Sequence, residues 1–168
     1  MTSPRLTFVL GGARSGKSRH AETLIARHPA PWTYIATAQA FDEEMRVRIA
    51  EHQARRNEDW HTVGAPLDLP EAISAANGPI LVDCLTLWLT NLMLGEHALK
   101  PAFDRLAAAL GDSPGPVVLV SNEVGLSIVP ENALARAFRD EQGRLNQQIA
   151  ALADHVVFMV AGLPMVVK

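Results

Sequence analysis

The segment Gly11-Gly12-Ala13-Arg14-Ser15-Gly16-Lys17-Ser18 constrains this chain more than any other. It has the spacing G-x-x-x-x-G-K-S/T and follows the apolar run Leu6-Thr7-Phe8-Val9-Leu10. It also opens a helical pattern that runs from about Lys17 to Arg27. Glycines let the backbone curl until several N–H groups converge, and the helix start adds its positive partial charge at the same point. The product is a cradle for phosphates. In it Lys17 is placed to reach the β and γ phosphates of ATP or GTP, and Ser18 to hold Mg²⁺ through its hydroxyl.

The rest of the chain supplies the sheet that such a loop requires. Trp32–Ala36, Ile80–Asp83, Val117–Ser121 and Val156–Val160 read as buried strands, with helical patterns over residues 17–27, 42–56, 70–76, 86–94, 101–110 and 132–154 between them. Gly143 marks a candidate interruption of the last helix. Ala161 to Pro164 reads as a tight turn into a final strand, Met165 to Lys168, antiparallel to its predecessor. The expected fold is α/β: one P-loop NTPase domain of RecA-like type over residues 1–168, with a mainly parallel sheet covered on both faces and an antiparallel C-terminal edge. Ligands of such sheets sit at the carboxyl ends of the strands.

Composition removes several classes of function. The net charge of −3 and the scarcity of aromatics, 5%, argue against a nucleic-acid surface. No apolar run is long enough for a membrane helix. The N-terminal residues have no export signature, and a single cysteine, Cys84, suits a cytoplasmic protein.

Two further residues stand out. Asp83 ends an apolar strand, as a Mg²⁺-binding carboxylate does downstream of a phosphate loop; the plainer account is an N-cap for the helix near Thr86. In the 42–56 pattern, Met45, Ile49 and His52 share one stripe, and Arg48, His52, Arg55 and Arg56 an overlapping basic one. A neutral imidazole among guanidinium groups suits attack on a nucleotide α-phosphorus. From spacing alone, an incidental histidine on a solvated helix is the simpler account.

Longer blocks then narrow the choice. They are Gly11 to Glu22; Tyr34-Ile35-Ala36-Thr37-Ala38 with Asp42, Glu44-Met45, Arg48-Ile49, His52, Arg56 and Trp60; and Val82 to Thr86 with Trp88 to Leu92. The last runs from Val120-Ser121-Asn122-Glu123-Val124-Gly125 through Ile128-Val129-Pro130, Asn132, Arg136, Phe138-Arg139-Asp140 and Gly143 to Asn146-Gln147. Together they resemble the bifunctional adenosylcobinamide kinase and adenosylcobinamide-phosphate guanylyltransferases of cobalamin biosynthesis, over nearly the whole chain.

The resemblance implies two reactions. A nucleoside triphosphate phosphorylates the aminopropanol hydroxyl of adenosylcobinamide. GTP then guanylylates an enzyme histidine, which passes GMP to adenosylcobinamide phosphate. By position that histidine is His52. The resemblance also implies GTP contacts from Ala36, Thr37 and Ala38, from Gln53, Ala54, Arg55 and Arg56, and from Asp83; the phosphate-loop chemistry itself puts Mg²⁺ on Ser18 and Asp83. It implies a homo-oligomer, a trimer or another multiple.

The sequence departs from the family pattern at Trp60-His61-Thr62-Val63-Gly64, where Gly64 replaces a nucleotide-contacting glutamate and puts guanine selectivity in question. Asp68 or a backbone carbonyl is a substitute. The fourth block is compatible with a substrate wall, an oligomer contact or plain core, and Gly143 within it suggests close approach by another backbone or a bulky ligand. The run Leu85 to Leu94 with Trp88 is an interface or core. Asp83 and Glu123 are the candidate general bases for the cobinamide hydroxyl. The competing readings are a kinase-only relative, a RecA-like motor ATPase and a nucleotide sensor.

Overall fold

The computed structural model describes residues 4–39, 46, 47, 50 and 57–168. Of the predicted helix over 42–56 only residues 46, 47 and 50 are described, and they are helical; His52 and the segment Gln53 to Arg56 lie outside the described residues.

A seven-stranded sheet organises the chain in the order β3-β2-β4-β5-β1-β6-β7. The strands are β1 (Leu6–Gly11), β2 (Trp32–Ala36), β3 (Trp60–Gly64), β4 (Ile80–Asp83), β5 (Val117–Asn122), β6 (His155–Val160) and β7 (Leu163–Val166). Every neighbouring pair is parallel except β6 and β7. The expected parallel sheet with an antiparallel C-terminal edge is therefore present. The final strand begins earlier than the sequence suggested, because Ala161 and Gly162 alone, both at positive φ, make the turn.

The helices are α1 (Lys17–Ile25), α2 (Leu69–Ala75), α3 (Leu85–Leu94), α4 (Leu99–Asp112) and α5 (Ala133–Leu152). One face of the sheet packs against α1 through Val9, Ala21, Ile25, Leu81, Val120 and Met159. The other carries a larger core, in which Phe8, Val82 and Leu119 of the strands meet Ile73, Leu89, Leu106 and Leu145 of the helices. Apolar residues on successive turns of α4 and α5 supply that face.

Three sequence expectations change. Trp60–Gly64 is a strand, paired only with β2. Helix α5 runs without interruption from its cap at Asn132, whose side chain accepts from the Ala135 N–H, and a Cβ added at Gly143 would meet nothing within 4 Å. The close approach expected there is absent among the described residues. Third, α3 buries Leu85, Trp88, Leu89 and Leu92, so most of that run is core rather than interface.

Candidate active site

The phosphate loop forms where β1 gives way to α1. Gly16 takes φ 91°, a left-handed conformation that favours glycine, and turns the chain into the first helical residue, Lys17. Gly11 has a steric reason to be glycine. A Cβ there would collide with the Ser15 hydroxyl and stand 3.1 Å from Met159 Cβ. Lys17 folds back and donates from Nζ to the Gly12 carbonyl at 2.9 Å. The loop is also braced from the side, since the N–H of Gly162, in the turn between β6 and β7, donates to the Ser15 carbonyl at 3.0 Å. Ala13, Arg14 and Gly16 are exposed, and Ser18 lies half-buried in the first turn of α1.

Parallel registration brings the other sequence candidates to this edge. Gly64 pairs with Ala36, Ala36 with Asp83, and Gly11 with Asn122. Asp83 sits half-buried at the end of β4 and accepts a hydrogen bond from the Tyr34 hydroxyl at 3.1 Å. It is not the helix cap: Cys84 holds that position, and no side chain caps α3. Glu123 follows β5, donating its N–H to the Gly11 carbonyl at 3.1 Å, and its carboxylate accepts from the Gly125 N–H at 2.6 Å.

Thr37 is fully buried and commits every polar group internally. Its hydroxyl donates to the Cys84 carbonyl at 2.7 Å and accepts the Cys84 N–H at 2.9 Å. Its own N–H donates to the Asp83 carbonyl, and its carbonyl accepts from Asn91 Nδ2. The same Asn91 amide donates to the Pro66 carbonyl, so α3 ties the end of β2 to the chain beyond β3. Burial and the neighbouring Asp83 charge push the Cys84 thiol from 9.0 up to about 11, against smaller opposing effects from backbone N–H groups and Lys17. The thiol is therefore neutral and inert at ordinary pH.

A second buried network fixes the end of β5. The Ser121 hydroxyl donates to Asn146 Oδ1 at 2.8 Å and receives Gln142 Nε2 at 3.0 Å, while Thr86 Oγ1 accepts the Asn122 N–H at 2.8 Å. Asn146 Nδ2 reaches the Asn122 carbonyl. Tyr34, Thr86, Asn91 and Asn146 were visible as members of motif blocks, but their structural roles were not, and Gln142 lay outside the blocks altogether.

Comparison with known proteins agrees with this geometry. The family model for cobinamide kinase / cobinamide phosphate guanyltransferase matches residues 7–167. The chain belongs to that family. It is accordingly a bifunctional cobinamide kinase and cobinamide-phosphate guanylyltransferase of cobalamin biosynthesis. It is 51% identical over 166 residues to the bifunctional adenosylcobalamin biosynthesis protein CobP of Pseudomonas aeruginosa, covering 96% of each chain. It is 43% identical over 181 aligned positions to CobU of Escherichia coli, covering 97% of this chain and 99% of that one. At the level of fold it is similar to a type III secretion ATPase of pathogenic bacteria, with a TM-score of 0.54 and 12% identity over 92% of this chain and 50% of that one. A KaiC-like protein of Pyrococcus horikoshii gives a TM-score of 0.54 at 13% identity, over 92% of this chain and 71% of that one. These two likenesses show a RecA-like P-loop fold.

Proposed function

We propose that residues 1–168 act as one catalytic unit in which the phosphate loop runs the kinase step and His52 the guanylyl step. In the first, Gly11 to Ser18 hold the triphosphate of ATP or GTP, and Lys17 stabilises charge on the β and γ phosphates. The aminopropanol hydroxyl of adenosylcobinamide attacks the γ-phosphorus, its proton passes to a carboxylate, and the nucleoside diphosphate leaves. Asp83 and Glu123 remain the two candidates for that base, since both stand at the ends of strands beside the loop.

The residues present fit Mg²⁺. Ser18 offers a hydroxyl and Asp83 a carboxylate held by Tyr34, which are hard oxygen donors of the kind that ion prefers. Bound there, the ion would neutralise phosphate charge. Thr37 supports that end of the sheet from below, which leaves direct contact with nucleotide to its neighbours Ala36 and Ala38.

In the second step an imidazole nitrogen of His52 attacks the α-phosphorus of GTP. A P–N bond forms, the α–β phosphoanhydride bond breaks, and pyrophosphate leaves. The phosphate oxygen of adenosylcobinamide phosphate then attacks the same phosphorus and releases the histidine, giving adenosylcobinamide-GDP. Gln53, Ala54, Arg55 and Arg56 contribute to GTP binding beside it. One loop serving both steps implies that the histidine segment or the substrate repositions between them. Crystal structures with and without GTP that superpose around His52 would count against that movement.

The family match carries this reading, because it spans both the loop and the histidine block. A homo-oligomer, a trimer or another multiple, in the cytoplasm completes it. Exposed Leu126, Ile128, Val129 and Leu134, within the span of the fourth block, give it apolar surface for a subunit contact or a corrinoid wall. Among the described residues no helix is long and apolar enough to cross a membrane.

The deciding experiment is incubation with Mg²⁺ and GTP radiolabelled at the α-phosphate, followed by denaturing electrophoresis. Acid-labile, alkali-stable label on the wild type and none on His52→Ala is expected. An unlabelled wild type that still phosphorylates cobinamide would leave only a kinase and point to Gly64 as the reason.

A further inference from the structure

We propose that the turn between β6 and β7, together with Pro164, forms the wall against which the base of the phosphoryl donor lies. This rests on the phosphate-loop reading above. The argument begins with the direction of the triphosphate. Lys17 serves its β and γ end, and the acid expected beside that end, Asp83, belongs to β4. In the sheet order, β4 lies on the β5 side of β1. A nucleotide whose terminal phosphate points toward β4 sends its base the other way. The other neighbour of β1 is β6.

The structure builds a surface at that place. The Gly162 N–H donates to the Ser15 carbonyl at 3.0 Å, so the turn touches the phosphate loop directly. A Cβ on Gly16 would meet Gly162 Cα at 3.3 Å and Met159 Cε at 3.9 Å. Met159 therefore faces the loop, and it packs with Ala21 and Ile25 of α1. In the hairpin register Met159 opposes Pro164. Directly opposed residues share a face of the sheet, so Pro164 stands on the same side as Met159 and α1. Pro164 is exposed, although it is apolar and stands on β7, two strands from β1. A flat apolar ring beside the open end of a phosphate cradle suits the face of a purine.

The wall also separates the two nucleotides in space. The contacts expected for GTP in guanylyl transfer, Ala36 to Ala38 and the Gly64 position, lie at the ends of β2 and β3, across β1 from the hairpin. The phosphoryl donor and the guanylyl donor thus share the sheet edge but place their bases at opposite ends of it.

The test measures binding of ATP and of inorganic tripolyphosphate, each with Mg²⁺, to wild type, Pro164→Asp and Lys17→Ala. Pro164→Asp should weaken ATP on the order of tenfold and leave tripolyphosphate unchanged. Equal weakening of both would show that the hairpin only props the loop, and no change in either would remove it from the site; both overturn the proposal. Lys17→Ala should weaken both ligands. If it weakens neither, the phosphate-loop reading has failed and the wall falls with it, a pattern distinct from the others. Photolabelling of the unaltered protein with 8-azido-ATP gives an independent readout that no folding defect affects. ATP-protected label within residues 160–166 is expected. Protected label confined to β2 or β3 would overturn the proposal.

Discussion

Thr37→Val replaces a hydroxyl by a methyl of nearly the same size at a position with no exposed surface. The hydroxyl makes two short hydrogen bonds, 2.7 Å to the Cys84 carbonyl and 2.9 Å from the Cys84 N–H. Valine leaves the Cys84 N–H unpaired in a buried place, while the Cys84 carbonyl keeps the Trp88 N–H at 3.2 Å. The unpaired donor costs about 1–3 kcal/mol, the lost bond to the carbonyl about 1 kcal/mol, and the added methyl returns about 1 kcal/mol of apolar burial, so a net loss of about 1–3 kcal/mol follows. For a chain of this size that is a fall in melting temperature of roughly 2–12 °C. Thr37→Ser is the control. It keeps both bonds and removes one methyl, at about 1 kcal/mol. Urea unfolding with an unchanged denaturant slope measures the difference. Because the Cys84 peptide adjoins Asp83, the valine variant should also lose kinase turnover, while the serine variant keeps it. A valine variant as stable as the serine variant would refute the view that Thr37 is a support for the strand end.

Three other outcomes are expected. Gly11→Ala forces a methyl onto the Ser15 hydroxyl and toward Met159, and should cost about 1–3 kcal/mol of stability together with most nucleotide binding, read by thermal shift with and without ATP. The Cys84 thiol, at about 11 folded against 9.0 unperturbed, holds its proton more tightly in the native state; its stabilisation is complete below pH 9, is lost as pH rises toward 11, and amounts to roughly 3 kcal/mol. Cys84→Ala should flatten that part of the stability curve. Gly64→Glu adds a side chain where a Cβ meets nothing within 4 Å, so stability should change by under about 0.5 kcal/mol while the preference for GTP over ATP in guanylyl transfer rises; an unchanged preference would remove this position from guanine recognition.

The strands of the buried sheet were legible because each is a short apolar run bounded by turn residues, and β2 and β4 end where the sequence placed them. Strand β3 escaped notice because Trp60-His61-Thr62-Val63-Gly64 is an edge segment with an exposed histidine and a terminal glycine, so it has no apolar run to announce it. The phosphate loop was legible because its chemistry depends on backbone shape, which glycines encode locally. The supports of the site were not. Asn91, Gln142 and Asn146 are polar residues on helices, and a polar residue on a helix ordinarily reads as solvent-facing. Their burial depends on strand ends brought beside them from distant parts of the chain. At Gly143 a glycine inside a helix suggested a close backbone or a bulky ligand, and no backbone among the described residues approaches it.

The strand order gives the two reactions a common floor. From Gly64 on β3 to Gly11 on β1 the edge crosses β2, β4 and β5. At about 4.8 Å per strand this is roughly 19 Å. Asp83 lies between those ends and the turn at Ala161 and Gly162 lies beyond Gly11, on the far side of the phosphate loop. A nucleotide with its phosphates on the loop and its base against the hairpin points away from Gly64, so a substitution at Gly64 has no route to the kinase donor. It can act only on a nucleotide turned the other way, with its α-phosphate offered to a histidine. On the proposed placement of the two bases, guanine selectivity and the choice of triphosphate in the kinase step belong to opposite ends of one sheet edge, and each can change without the other.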